Sequence, residues 1–152
     1  MKNIFVFGTV ILLLIACNST QKVVTTAPST VTFVNSPKLM PVLEMANSKE
    51  QLVFVDFYTT WCLPCKMMDE DVFTNKGIYE YFNNNFVSYK VNGEKDNGPN
   101  LAVLYQVTAY PTLLFLDGDG NVLVRKEGAA YPTELQSLAE EAIALHNKNM
   151  SN

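Results

Sequence analysis

The sequence predicts an α/β domain built on a central mixed β-sheet with helices on both faces. Three observations carry that expectation. Apolar strand-like runs alternate with stretches of helical spacing along most of the chain. Residues 52–58 are a nearly unbroken apolar run, interrupted by Asp56, as a strand buried on both faces requires. Two more runs, 112–116 and 122–126, are joined only by the turn Asp117-Gly118-Asp119-Gly120-Asn121, which makes them an antiparallel hairpin.

Taken in order, residues 30–34 alternate polar with apolar and suggest a first strand near a sheet edge. Ser36-Pro37 reads as an N-cap followed by proline at the first helical position, and Leu39, Met40, Leu43 and Met45 or Ala46 give that helix an apolar face to about Asn47. After the central strand, Cys62 stands where a helix begins, with continuation expected through Lys66 and Glu70 towards Val72. Ile78, Tyr81 and Phe82 form the face of a short helix that stops in Asn83-Asn84-Asn85. A strand at 86–91, a polar loop at 93–98 and a helix from about Pro99 follow. The last element, from about Thr133 to His146, carries Leu135, Leu138, Ala139, Ala142 and Leu145 at helical spacing.

At 152 residues, 48 % hydrophobic, the chain can bury one ordinary core. Fifteen acidic residues oppose eleven basic ones, and no basic stripe or patch is present, which argues against nucleic acid as a partner. Met1-Lys2-Asn3 is a short positive start, residues 4–15 are an apolar run, and Leu14-Ile15-Ala16-Cys17 closes it with a small residue before cysteine. That run falls short of the about 20 apolar residues that span a bilayer. The pattern resembles the lipobox of bacterial lipoproteins, which implies cleavage before Cys17 and lipid on that cysteine; an ordinary signal peptide or an uncleaved anchor are the other readings. The expected organisation is a signal segment at 1–17, a flexible tether at 18–29, the folded domain at 30–147 and a polar tail at 148–152.

Cys62 and Cys65 are the chemistry-bearing pair. At a helix start, unpaired backbone N–H groups and the positive end of the helix dipole favour an anion, so Cys62 is the candidate nucleophilic thiolate. Cys65, one turn on, can close a short disulfide with it. The same spacing also suits half of a zinc site, but zinc needs two more ligands. The chain has no second cysteine pair, and its one histidine, His146, lies in a polar C-terminal stretch.

Trp61-Cys62-Leu63-Pro64-Cys65-Lys66 resembles the thioredoxin active site, with Leu63 where glycine is usual. Asp56 sits where thioredoxins carry a buried carboxylate and Lys90 where they carry its lysine partner. Tyr110-Pro111-Thr112 is similar to their cis-proline turn, and Glu127-Gly128-Ala129 to the strand end that follows. Tyr58 to Cys62, Asp71 to Thr74 and Ala109 to Thr112 are similar to exported bacterial thioredoxin-like proteins related to the C-terminal domain of the membrane electron-relay protein DsbD. The resemblance covers roughly residues 31–145 and implies the thioredoxin fold. Family members also carry a kinking proline where this chain has Glu70, and its absence implies a straighter helix.

Dithiol redox chemistry is then the expected activity, with no cofactor and no metal. Cys62 attacks a substrate disulfide and Cys65 releases the reduced product, Cys62 being the exposed thiol and Cys65 the protected one. Asp56 suits the role of proton acceptor if buried; a water-exposed strand-end carboxylate is the other reading. Lys90 is either its partner or a surface lysine. Pro111, if cis as in the family, with Tyr110, Thr112 and Pro64, is expected to meet substrate beside Trp61, which reads either as a recognition surface or as packing. The expected protein is a reductase of exported proteins that carry disulfides, lipid-anchored in the bacterial envelope facing the periplasm and recharged by a membrane donor of the DsbD type. An oxidase or isomerase, or a lipoprotein using the fold only for binding, are the alternatives.

Overall fold

In a computed structural model that describes residues 28–151, the chain runs β1 (Phe33–Val34), α1 (Met40–Ser48), β2 (Leu52–Tyr58), α2 (Leu63–Met67), a π-wound continuation (Met68–Val72), α3 (Lys76–Asn85), β3 (Phe86–Asn92), α4 (Gly98–Leu104), β4 (Thr112–Leu116), β5 (Val122–Glu127) and α5 (Pro132–Met150). The expected signal segment with Cys17 and nearly all of the expected tether lie outside the described residues.

The five strands form one sheet in the order β1–β3–β2–β4–β5. β2 is parallel to β3 and antiparallel to β4, and β5 returns antiparallel to β4. The sheet is therefore mixed, with the apolar run of β2 at its centre. Val53, Val55 and Phe57 point to one face, where they meet Val42 and Ala46 of α1 and Leu101 of α4. Phe54 points to the other, against Met68, Val72, Phe73, Phe82 and Leu135. Alternation along one strand thus assigns the cysteine-bearing helix and α1 to opposite faces.

Several boundaries differ from expectation. β1 is two residues long because the main chain before it is engaged elsewhere: Val31 N–H donates to Phe73 O at 2.9 Å and Thr32 N–H to Asn83 Oδ1 at 2.8 Å. Ser36 does not cap α1. Its hydroxyl closes a local turn, donating to Lys38 O at 2.7 Å, and the proline near the true helix start is Pro41. The helix after Cys62 does not continue as a plain α-helix without its proline; it changes winding at Met68, where Phe73 N–H reaches back five residues to Met68 O at 2.8 Å. α5 runs past His146 to Met150, into the stretch expected to be a polar tail, since nothing at 147–149 interrupts a helix.

Candidate active site

The site forms where β2 ends and α2 begins. Cys62 is the N-cap of α2, in extended conformation, and its Sγ accepts a hydrogen bond from Cys65 N–H at 3.2 Å. The cap places the sulfur on the amides that the first turn leaves unpaired, the position sequence reasoning assigned to it. Pro64 occupies the first turn, where its missing N–H costs nothing. Cys62 and Cys65 are disulfide-bonded, with Cα atoms 5.3 Å apart. Among the described residues, no group of three His, Cys, Asp or Glu side chains is placed to hold a metal ion.

One expectation needs correction. Cys62 is only 2 % exposed and Cys65 1 %, so in the disulfide form neither is open to solvent. Surface is left to the neighbours of Cys62: Trp61 is 65 % exposed and Leu63 75 %. These two side chains and Pro64 make an apolar rim around a covered disulfide.

Asp56 and Lys90 are brought together by register, being direct partners on the parallel strands β2 and β3. The Asp56 carboxylate is buried, with Oδ2 3.4 Å from Lys90 Nζ, an ion-pair contact without an aligned hydrogen bond to either carboxylate oxygen. Burial pushes its pKa up from 3.8 to about 6; the Lys90 charge opposes that rise, the Asp69 charge adds to it, and the polar contact with the Lys90 ammonium opposes it a little further. Both open readings thereby close: Asp56 is a core carboxylate rather than an exposed one, and Lys90 is its partner.

The Tyr110–Pro111 peptide bond is cis. The Tyr110 ring stands edge-on to Trp61, with centroids 6.2 Å apart, which places this turn beside the cysteine loop. Pro111 O accepts from Gly128 N–H at 2.8 Å, fixing the turn to the end of β5. Thr112 was expected among the substrate-contacting residues. Its side chain is instead fully buried, and its hydroxyl donates to Ala109 O at 2.8 Å, closing the turn from within. Pro111 is buried as well, so the surface offered here belongs to Tyr110, Trp61 and Pro64.

Three residues of the site escaped sequence reasoning. Asp69 forms a direct ion pair with Lys90; its spacing of four from Cys65, one helical turn, was the available signal. Glu94 accepts from Trp61 Nε1–H through both carboxylate oxygens, at 3.0 and 3.1 Å, and holds the indole against the rim. Gly93 leaves room for the Tyr110 phenol: a Cβ there would lie 2.0 Å from the Tyr110 hydroxyl oxygen. No local pattern announces Gly93 or Glu94, because both roles depend on a turn more than fifteen residues away.

A cysteine pair that closes a disulfide at a helix start, just past the strand that buries a carboxylate and beside a cis-proline turn, is a thiol-disulfide exchange site. The chain belongs to the family of the thioredoxin-like domain, whose profile matches residues 41–143. It is 33 % identical over 100 residues to a thioredoxin of Buchnera aphidicola subsp. Acyrthosiphon pisum, covering 66 % of this chain and 86 % of that one. It is 31 % identical over 98 residues to the thiol:disulfide interchange protein DsbD of Pseudomonas fluorescens, 63 % of this chain but only 17 % of that much longer protein. The solution structure of a candidate disulphide-isomerase from Bacteroides thetaiotaomicron superposes with a TM-score of 0.68 at 36 % identity, over 78 % of this chain and 97 % of that one. The protein is a thioredoxin-fold thiol-disulfide oxidoreductase.

Proposed function

We propose that the protein works as a disulfide reductase on exported proteins in the bacterial envelope, held there by lipid on Cys17 and recharged by a membrane donor of the DsbD type. The observation that carries the chemistry is the Cys62–Cys65 disulfide, capped on α2 at the end of the strand that buries Asp56. The apolar end of the leader, the cysteine that follows it and the similarity to DsbD support the location and the donor.

In the reduced protein, the Cys62 thiolate attacks one sulfur of a substrate disulfide and the other substrate sulfur leaves with its electron pair. Asp56 then takes the proton from the Cys65 thiol, and the resulting thiolate attacks Cys62. The Cys62–Cys65 bond forms as the bond from Cys62 to substrate breaks; two electrons pass to the substrate. Trp61, Leu63 and Tyr110 offer the apolar contact surface for a peptide that carries the disulfide.

Reduction of insulin by dithiothreitol tests this reading, with turnover expected for the unsubstituted chain and none for Cys62→Ser. Equal turnover by Cys62→Ser would contradict it. Similarity to a candidate disulphide-isomerase favours a second reading, isomerisation of wrongly paired substrates. Equilibration with glutathione separates the two: a strongly reducing couple supports the reductase, a mildly oxidising one the isomerase.

A further inference from the structure

Lys90 occupies a site built from more than its Asp56 partner. Its ammonium lies 5.4 Å from the ring centroid of Phe33, 4.8 Å from that of Tyr58 and 5.5 Å from that of Phe73, so three aromatic faces confine it by cation–π attraction. Two carboxylates close the remaining sides, and they differ in depth: the Asp56 side chain is 1 % exposed, Lys90 18 % and Asp69 42 %. The cation is not shared evenly. Asp69 holds it in a direct charged hydrogen bond, while its contact with Asp56 is the longer one, at 3.4 Å and poorly aligned.

We propose that Asp69 is a positioning residue for the resolving step: by holding the Lys90 ammonium at the outer side of its aromatic cage, it leaves the Asp56 carboxylate free to accept the Cys65 proton. The inference rests on the thiol-disulfide exchange proposed above. An ammonium that donated fully to Asp56 would stabilise the carboxylate and make it a poorer base. Asp69 prevents that, and its own negative charge acts on Asp56 in the same direction. The arrangement also links the base to the nucleophile's helix, because Asp69 stands one turn beyond Cys65 on the π-wound continuation of α2.

The charged and titratable groups around Asp56 are few. β3 contributes Lys90, the π-wound segment Asp69, and β2 itself the Tyr58 phenol near Lys90. β4 sets uncharged Leu113 opposite Asp56, and β1 contributes Phe33 to the cage. In the resolving step the Cys65 proton passes to Asp56, the new thiolate attacks Cys62, and the electron pair of the broken bond leaves on the substrate sulfur. That sulfur takes a proton from solvent, and Asp56 later returns its own.

The test follows the Asp56 carboxyl carbon by NMR across pH in the reduced full-length chain, together with the pH dependence of the resolving step in single turnover. Asp69→Asn is expected to lower the Asp56 midpoint by about one pH unit and to move the acid limb of the resolving rate by the same amount. Asp69→Glu, which restores the charge, is expected to bring both back. A merely structural Asp69 would alter melting temperature without moving the midpoint. An Asp56 midpoint that stays in place in folded Asp69→Asn overturns the inference, as does a midpoint that rises. Failure of the unsubstituted chain to reduce insulin overturns the enzyme reading instead, so the two failures are told apart.

Discussion

The two faces of β2 were made by one strand and serve different ends. On one face Val53, Val55 and Phe57 bury themselves against α1 and α4 without a charged group among them. On the other, Phe54 continues into an aromatic cluster with Phe33, Phe73, Phe82 and Phe115, but the next position on that face is Asp56. The first face stabilises the fold and nothing more. The second gives up stability at one residue by burying a carboxylate, the group proposed above as the proton acceptor.

The difference is measurable as opposite signs of mutation along the same strand. Phe57→Ala, on the apolar face, is expected to cost about 4 kcal/mol in chemical denaturation, from lost burial and the cavity left behind. Asp56→Asn, one residue away, is expected to raise stability. Its folded pKa of about 6 lies above the ordinary 3.8, so the protonated form is favoured by folding and the ionised form is penalised. Its contribution to stability is present below about pH 4 and lost as pH rises through 6, which makes the gain from Asn near zero in acid and about 3 kcal/mol at pH 7. A pH-independent effect of Asp56→Asn would break the comparison. The same substitution should slow the resolving step, seen as accumulation of mixed disulfide on Cys62.

A smaller effect sharpens the contrast at the surface. Glu94→Ala removes the exposed acceptor of the Trp61 indole and is expected to change stability by about 0.5 kcal/mol only. Trp61 is the chain's one tryptophan, so intrinsic fluorescence reports the released indole directly. An unchanged emission spectrum would show that Glu94 does not hold it.

Much of this was legible before the structure. β2, β4 and β5 fall within a residue of expectation because their apolar runs are bounded by polar turns, Cys62 and Cys65 stand out by spacing, and Asp56, Lys90 and Pro111 by resemblance to thioredoxins. What was missed depended on contacts between distant segments. Ser36 looked like a cap, yet its hydroxyl was used within its own turn. The change of winding at Met68 has no residue that marks it. Asp69 matters only because β3 delivers Lys90 to its side of the helix, and Glu94 only because its loop folds under Trp61.

Disulfide exchange at this site turns on the reactivity of one sulfur. In the reduced protein, alkylation of Cys62 by iodoacetamide at pH 6 should run well ahead of a free cysteine under the same conditions, since a capping position at the helix start favours the thiolate. A rate equal to that of the free thiol would contradict the assignment of Cys62 as the attacking group.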